Sequence, residues 1–394
     1  MKKLLQLLFG TLLFVIASCK TDVPAPYPLP QTHADKTLFV YMPWSAARNS
    51  NFGSLYQAFQ RNISDMKTAI EADGGLHRNR LIIFISTSSS SAVMMEITYK
   101  NGVCHEDTLE RYAAANLPEL TTAGGIANVL GTMKSKAPAN QYAMIIGCHG
   151  TGWLFSNGGR RVSTRYFGGS EPYTQTNIPT LAEAISRTGM HMQFIMFDDC
   201  YMSNIEVAYE LRNVTSHLIG CASEVMAYGM PYHKMWRYLA QLSPDYQRIV
   251  NEFHNFYSTY STPCGNIGIT DCAVADEMAG VMKQINAAYT FNLADTLQVQ
   301  KLDGYRNTIF YDMGDYVDKL CGGTALYTAF QSTLSRLVPY KSTTPSIYTN
   351  LGETSSRYIS VTRFSGITIS DPTVSSYESA FLNKTRTQWW QVTH

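Results

Sequence analysis

Ala143-Met144-Ile145-Ile146-Gly147-Cys148-His149-Gly150 is followed, 51 positions on, by Phe194-Ile195-Met196-Phe197-Asp198-Asp199-Cys200. Each stretch is a short apolar run that stops abruptly in residues with chemistry. Such runs suit strands buried on both faces of a parallel sheet. The pattern recurs at residues 38–42, 81–85 and 218–219, with helix-like stretches at 55–72, 122–135, 180–188 and 203–212 between. This alternation predicts right-handed crossovers and an α/β fold with a three-layer α/β/α core. Residues 94–99 and 103–107, joined by Asn101-Gly102, predict an added hairpin. Beyond about residue 240 the pattern is mainly helical, at 245–260 and 271–293. Residues 327–337 suit strand or helix, and 366–369 resemble a late strand.

Composition narrows the function classes. The chain has 394 residues, 45% hydrophobic and 15% charged, with 31 basic and 30 acidic residues. That apolar share supplies a core, which argues against disorder. The balanced charge, without a basic block, argues against a nucleic-acid partner. No Walker A loop, G-x-S-x-G elbow, H-E-x-x-H or C-x-x-C occurs. The eight cysteines are too few for a disulfide scaffold in a chain this long.

The N-terminus reads as an export signal. Met1-Lys2-Lys3 precedes an apolar stretch over 4–18, and Ile16-Ala17-Ser18-Cys19 looks like a lipobox. Cleavage there leaves Cys19 as a lipidated N-terminus and removes Lys2 and Lys3, so the charge becomes 29 − 30 = −1. Acyl chains then hold the protein on a membrane, and Lys20 favours the outer membrane of a bacterial envelope over inner-membrane retention. Pro24, Pro26, Pro28 and Pro30 make residues 19–36 an extended tether. The expected organisation is a signal at 1–18, the tether at 19–36, a core at 37–240 and a helical region at 241–394.

Ligands of open α/β sheets bind at the carboxyl ends of strands, where His149 and Cys200 fall. Placed at a helix N-terminus, Cys200 gains thiolate character from the unpaired backbone N–H groups there. His149 is then its general base or ion-pair partner. Gly150 admits a bare N–H to a substrate carbonyl, and the N–H of Cys200 is the second oxyanion donor. The plainer alternative is a small buried thiol and an ordinary strand-end histidine.

These blocks resemble the clostripain family of cysteine peptidases. Residues 143–153 look like its histidine motif and 197–211 like its cysteine motif. Ala222-Ser223-Glu224 with Gly229-Met230-Pro231-Tyr232 is similar to the next block. The resemblance implies a caspase-like fold, a His149–Cys200 dyad and cleavage after arginine or lysine. It makes Asp198 the base of the pocket that pairs with the basic side chain, a role suited to bidentate guanidinium binding. It also implies calcium as a candidate cation, with no EF-hand-like spacing to locate it.

Two residues depart from the family pattern. Asp199 stands where a small residue is usual, as a second carboxylate for a dibasic substrate or a cation, or as a brake on the thiol. Cys148 stands where a polar residue is more common. Some members are activated by cleavage downstream of the histidine, so Arg160, Arg161 and Arg165, in a glycine-rich stretch, are expected self-cleavage points. Two functions follow: a lipid-anchored endopeptidase, or a surface lipoprotein of the same fold acting as a binding or scaffold module.

Overall fold

The quoted apolar runs become the centre of one sheet. In the computed structural model, residues 33–44, 55–154, 167–168, 174–305, 308–350, 357–370 and 384–394 are described. The strands are β1 (Ala34–Met42), β2 (Asn79–Ser88), β3 (Ser91–Lys100), β4 (Val103–Tyr112), β5 (Ala139–Gly147), β6 (Met192–Asp198), β7 (Thr215–Gly220), β8 (Asn266–Asp271) and β9 (Tyr340–Thr343). They form a nine-stranded sheet in the order β9-β8-β7-β6-β5-β1-β2-β3-β4. Pairing is parallel from β7 through β2 and antiparallel at both edges. The hairpin turn falls at Asn101 and Gly102, with φ of 53° and 87°, as a type I′ turn requires.

Period-two alternation divides the core between two faces. Leu38, Val40 and Met42 point to one, Phe39 and Tyr41 to the other. The first face is covered by α1 (Tyr56–Ala72), α5 (Tyr232–Leu239) and α6 (Tyr246–Tyr257). On α1 the stripe Phe59, Ile63, Met66 and Ile70 has the spacing that keeps side chains on one helical side. The second face carries α2 (Ala123–Lys136), α3 (Ile178–Arg187), α4 (Ile205–Leu211), α7 (Ala275–Ala288), α8 (Met313–Cys321), α9 (Ala325–Leu337) and α10 (Gln388–Thr393). Thus residues 327–337 lie in a helix. The late strand is the two-residue Thr368–Ile369, paired with Tyr311–Asp312.

Two boundaries differ from expectation. β1 begins at Ala34, so the tether's last three residues are sheet, and Lys36 is buried. Its ammonium donates to the carbonyls of Leu239, at 3.2 Å, and Gln241, which is how a lysine is tolerated inside a strand. The part after residue 240 supplies β8 and β9 to the same sheet, and His33–His394 form one compact unit.

Candidate active site

Strand order positions the chemistry. β1 lies between β2 and β5, so successive strands are added in opposite directions from it, and a crevice opens beyond the carboxyl ends there. Gly147 of β5 pairs with Asp198 of β6. One step further Cys148 faces Asp199, its N–H donating to Oδ1 at 2.7 Å and its thiol to Oδ2 at 3.1 Å. His149 and Cys200 follow, each just beyond its strand end. Both line one cleft of about 240 Å³, with Asp198 and Asp199, Asn62 from α1, and Val225 from the β7–α5 connection.

Gly150 is the point of closest approach. A Cβ added there would stand 2.5 Å from the Cys200 carbonyl oxygen and 2.7 Å from the Asp199 Cβ. Only glycine lets the two loops close to this distance. Directly after the cysteine, Tyr201 has a φ of 62°, an uncommon conformation for a non-glycine residue. Its buried ring stacks on Phe310 at 4.9 Å, and its N–H donates to Ser223 at 3.0 Å.

Cys200 is not at a helix N-terminus. α4 begins at Ile205, and Asn204 caps it by accepting from the Val207 N–H at 3.2 Å. The stabilisation of a thiolate expected from helix N–H groups is therefore missing, because that effect fades within the first turn. The thiol instead accepts from the Val225 N–H at 3.4 Å and approaches the Val225 carbonyl at 3.8 Å. Burial, and then the carboxylates of Glu224, Asp199 and Asp198, push its pKa far up against the opposing Val225 bond. Burial lowers the pKa of His149, whose ring packs against Trp44 at 4.9 Å. Both shifts favour the uncharged forms, thiol and imidazole.

Asp198 is buried in the cleft floor beneath three donors. The Met230 N–H reaches Oδ1 at 2.8 Å, while Asn62 Nδ2 and Tyr232 OH reach Oδ2 at 2.8 and 2.9 Å. Burial raises its pKa to about 6, against the pull of the Tyr232 and Met230 bonds. Gly229 lies over it with a φ of 72°, and a Cβ there would collide with both carboxylate oxygens. Asp199 accepts from Cys148 at both of its oxygens, so the two departures from the family pattern are partners.

Sequence reasoning missed Asn62, Trp44 and Val225. Asn62 had a signal, a polar residue beside Phe59 and Ile63 on the buried side of α1. Val225 had none, since its backbone makes the contact. The strand end at His149 also exchanges two 2.9 Å backbone bonds with Gly168. Arg160, Arg161, Arg165 and Cys19 lie outside the described residues. The seven other cysteines are free thiols. Among the described residues no helix is long and apolar enough to cross a membrane. Among the described residues there is no group of three or more His, Cys, Asp or Glu that could hold a metal ion.

Comparison with known proteins places this geometry. Residues 44–373 match the clostripain family. A secreted C11 cysteine protease from Bacteroides thetaiotaomicron, "iotapain", is 43% identical with a TM-score of 0.83, covering 92% of this chain and 99% of its own. A clostripain from the same organism, in complex with the peptide inhibitor BTN-VLTK-AOMK, is 50% identical with a TM-score of 0.55, covering 58% of this chain and 99% of its own. An inactive zymogen C11 protease from Parabacteroides distasonis shares the fold at 24% identity, with a TM-score of 0.77 and coverage of 93% and 100%. No curated protein matches.

Proposed function

The chain belongs to the clostripain family and is a cysteine protease of caspase-like fold, and from that premise we propose that it is an endopeptidase cutting after arginine or lysine through His149 and Cys200. The observation that carries this reading is the register of β5 and β6. It sets both residues on one cleft with the Asp198 carboxylate in its floor. The inhibitor on the 50%-identical clostripain ends its VLTK peptide in lysine, which supports a basic side chain at the cut site.

The electrostatics suit substrate-assisted activation. The Cys200 thiol is held neutral by burial and by the surrounding carboxylates. A guanidinium or ammonium entering beside Asp198 offsets that negative charge and lowers the cost of the thiolate. His149, neutral through burial, takes the thiol proton as sulfur attacks the carbonyl carbon. The N–H groups of Gly150 and Cys200 receive the oxyanion. The imidazolium returns its proton to the leaving amine as the C–N bond breaks, leaving a thioester. Water, deprotonated by His149, then releases the carboxylate product and the thiol.

The decisive experiment is a thiol-reactive probe presenting arginine, applied to purified protein alongside Arg and Lys peptides. Labelling and cleavage should both disappear in Cys200→Ala. Persistent cleavage in that variant would overturn the dyad, and absence of labelling and cleavage in the wild type would return the scaffold reading.

The remaining parts of the proposal concern setting and control. Cys19 carries the lipid anchor that holds the enzyme at the outer membrane, and self-cleavage after Arg160, Arg161 or Arg165 activates it. Calcium remains a candidate cation from family resemblance, and no step of the mechanism passes through it.

A further inference from the structure

Asp199 is placed at a cost. Burial raises its pKa to about 7 against the bonds from Cys148, and its charge opposes formation of the Cys200 thiolate. A small residue would avoid both penalties. What the carboxylate does instead is visible in its bonds: Oδ1 accepts the Cys148 N–H at 2.7 Å and Oδ2 the Cys148 thiol at 3.1 Å. Cys148 is the residue before His149, and Asp199 is the residue before Cys200. The two bonds therefore cross from one strand end to the other directly beneath the reacting pair, past the ladder's last pairing at Gly147 and Asp198. The Gly150 contact with Asp199 and Cys200 lies just above.

We propose that Asp199 is a positioning residue that clamps the His149 strand end to the Cys200 strand end through Cys148, and so sets the separation across which the thiol proton moves. Asp199 is 1% exposed, and the loops close over it at Gly150. This rests on the reading of His149 and Cys200 as the reacting pair. The clamp acts on the chemical step, so its loss shows in kcat and leaves KM nearly unchanged.

The test is steady-state hydrolysis of an arginine peptide by the full chain, with active sites titrated and thermal unfolding measured for each variant. Asp199→Ala should lower kcat about 100-fold, the scale of a ~1 Å misplacement of reacting groups, with KM within about threefold. Asp199→Asn, the isostere for use should alanine not fold, keeps an acceptor for the Cys148 N–H. It should lose about tenfold, as one transition-state contact of ordinary strength would. Cys148→Ala should also lower kcat, Cys148→Ser should recover part of that loss, and adding Cys148→Ala to Asp199→Ala should cost nothing further. A folded Asp199→Ala or Asp199→Asn enzyme with unchanged kcat would overturn the clamp, as would losses that add fully in the double variant. Hydrolysis that survives in Cys200→Ala would instead remove the reading on which the clamp rests.

Discussion

Replacing Asp198 by asparagine separates charge from shape in the cleft floor. The carboxylate is buried and receives the Met230 N–H, Asn62 Nδ2 and Tyr232 OH. Asparagine keeps an oxygen for Met230 but turns an amide NH2 toward Asn62, donor against donor, at a cost of about 1–3 kcal/mol. It also relieves the burial that raises the Asp198 pKa to about 6, so net stability should change little. Substrate recognition should change greatly. At an effective dielectric near 20, opposite charges about 4 Å apart attract by about 4 kcal/mol, and desolvation of the incoming cation offsets part of this. A net loss of about 2–4 kcal/mol corresponds to about a 30- to 1,000-fold fall in kcat/KM for arginine and lysine peptides. A matched peptide with a neutral residue at the same position should change several-fold at most. The assay is kcat/KM on the paired peptides, with thermal unfolding as the control for folding. A basic-to-neutral ratio within threefold of wild type, in a folded variant, would refute the assignment of Asp198.

Further outcomes follow from the same geometry. Gly150→Ala sets a methyl 2.5 Å from the Cys200 carbonyl oxygen; it should cost about 1–3 kcal/mol of stability and most of kcat, and a near-normal kcat would disprove the close approach. Because the folded-state pKa of Asp198 is raised to about 6, kcat/KM for basic peptides should fall as pH drops through 6, with a weaker fall for neutral ones; equal profiles would count against a binding carboxylate. Asp198 and Asp199, raised to about 6 and about 7, hold protons in the folded chain at pH values where the unfolded chain has released them. Their contribution to stability is thus complete below about pH 4 and lost as pH rises through 6 and 7, so the melting temperature should drop less from pH 5 to 8 in Asp199→Asn than in wild type. Mass spectrometry of wild type and Cys200→Ala should find cleavage after Arg160, Arg161 or Arg165 in the first only; an intact chain in both would end the self-processing proposal.

The pairing of the strands beneath the cleft is legible in the sequence. The two apolar runs ending in Cys148-His149-Gly150 and Asp198-Asp199-Cys200 already implied adjacent parallel strands, and strand ends are where such sheets do chemistry. Misreadings arose where a local rule met a longer connection. Cys200 was expected at a helix start, yet four residues, Tyr201 to Asn204, intervene before Ile205. The strained Tyr201 turn and its bond to Ser223 take the chain across to β7 before the helix can begin. Lys36 read as tether because a charged residue among prolines suggests exposure; only the carbonyls of Leu239 and Gln241, two hundred residues away, make its burial tolerable.

The sequence by itself determined the alternation of buried strands and helices, the hairpin, and the placing of a histidine and a cysteine just beyond the ends of two strands. These follow from hydrophobic periodicity and from short-range turn chemistry, which act over a few residues. Tertiary structure alone decided that Cys148 and Asp199 are partners, that Asp198 lies under Asn62, Met230 and Tyr232, and that the thiol rests on Val225. Each of these depends on strand register and on backbone groups brought together across long loops. A carboxylate's partners, and with them its charge at neutral pH, are set by what surrounds it in space.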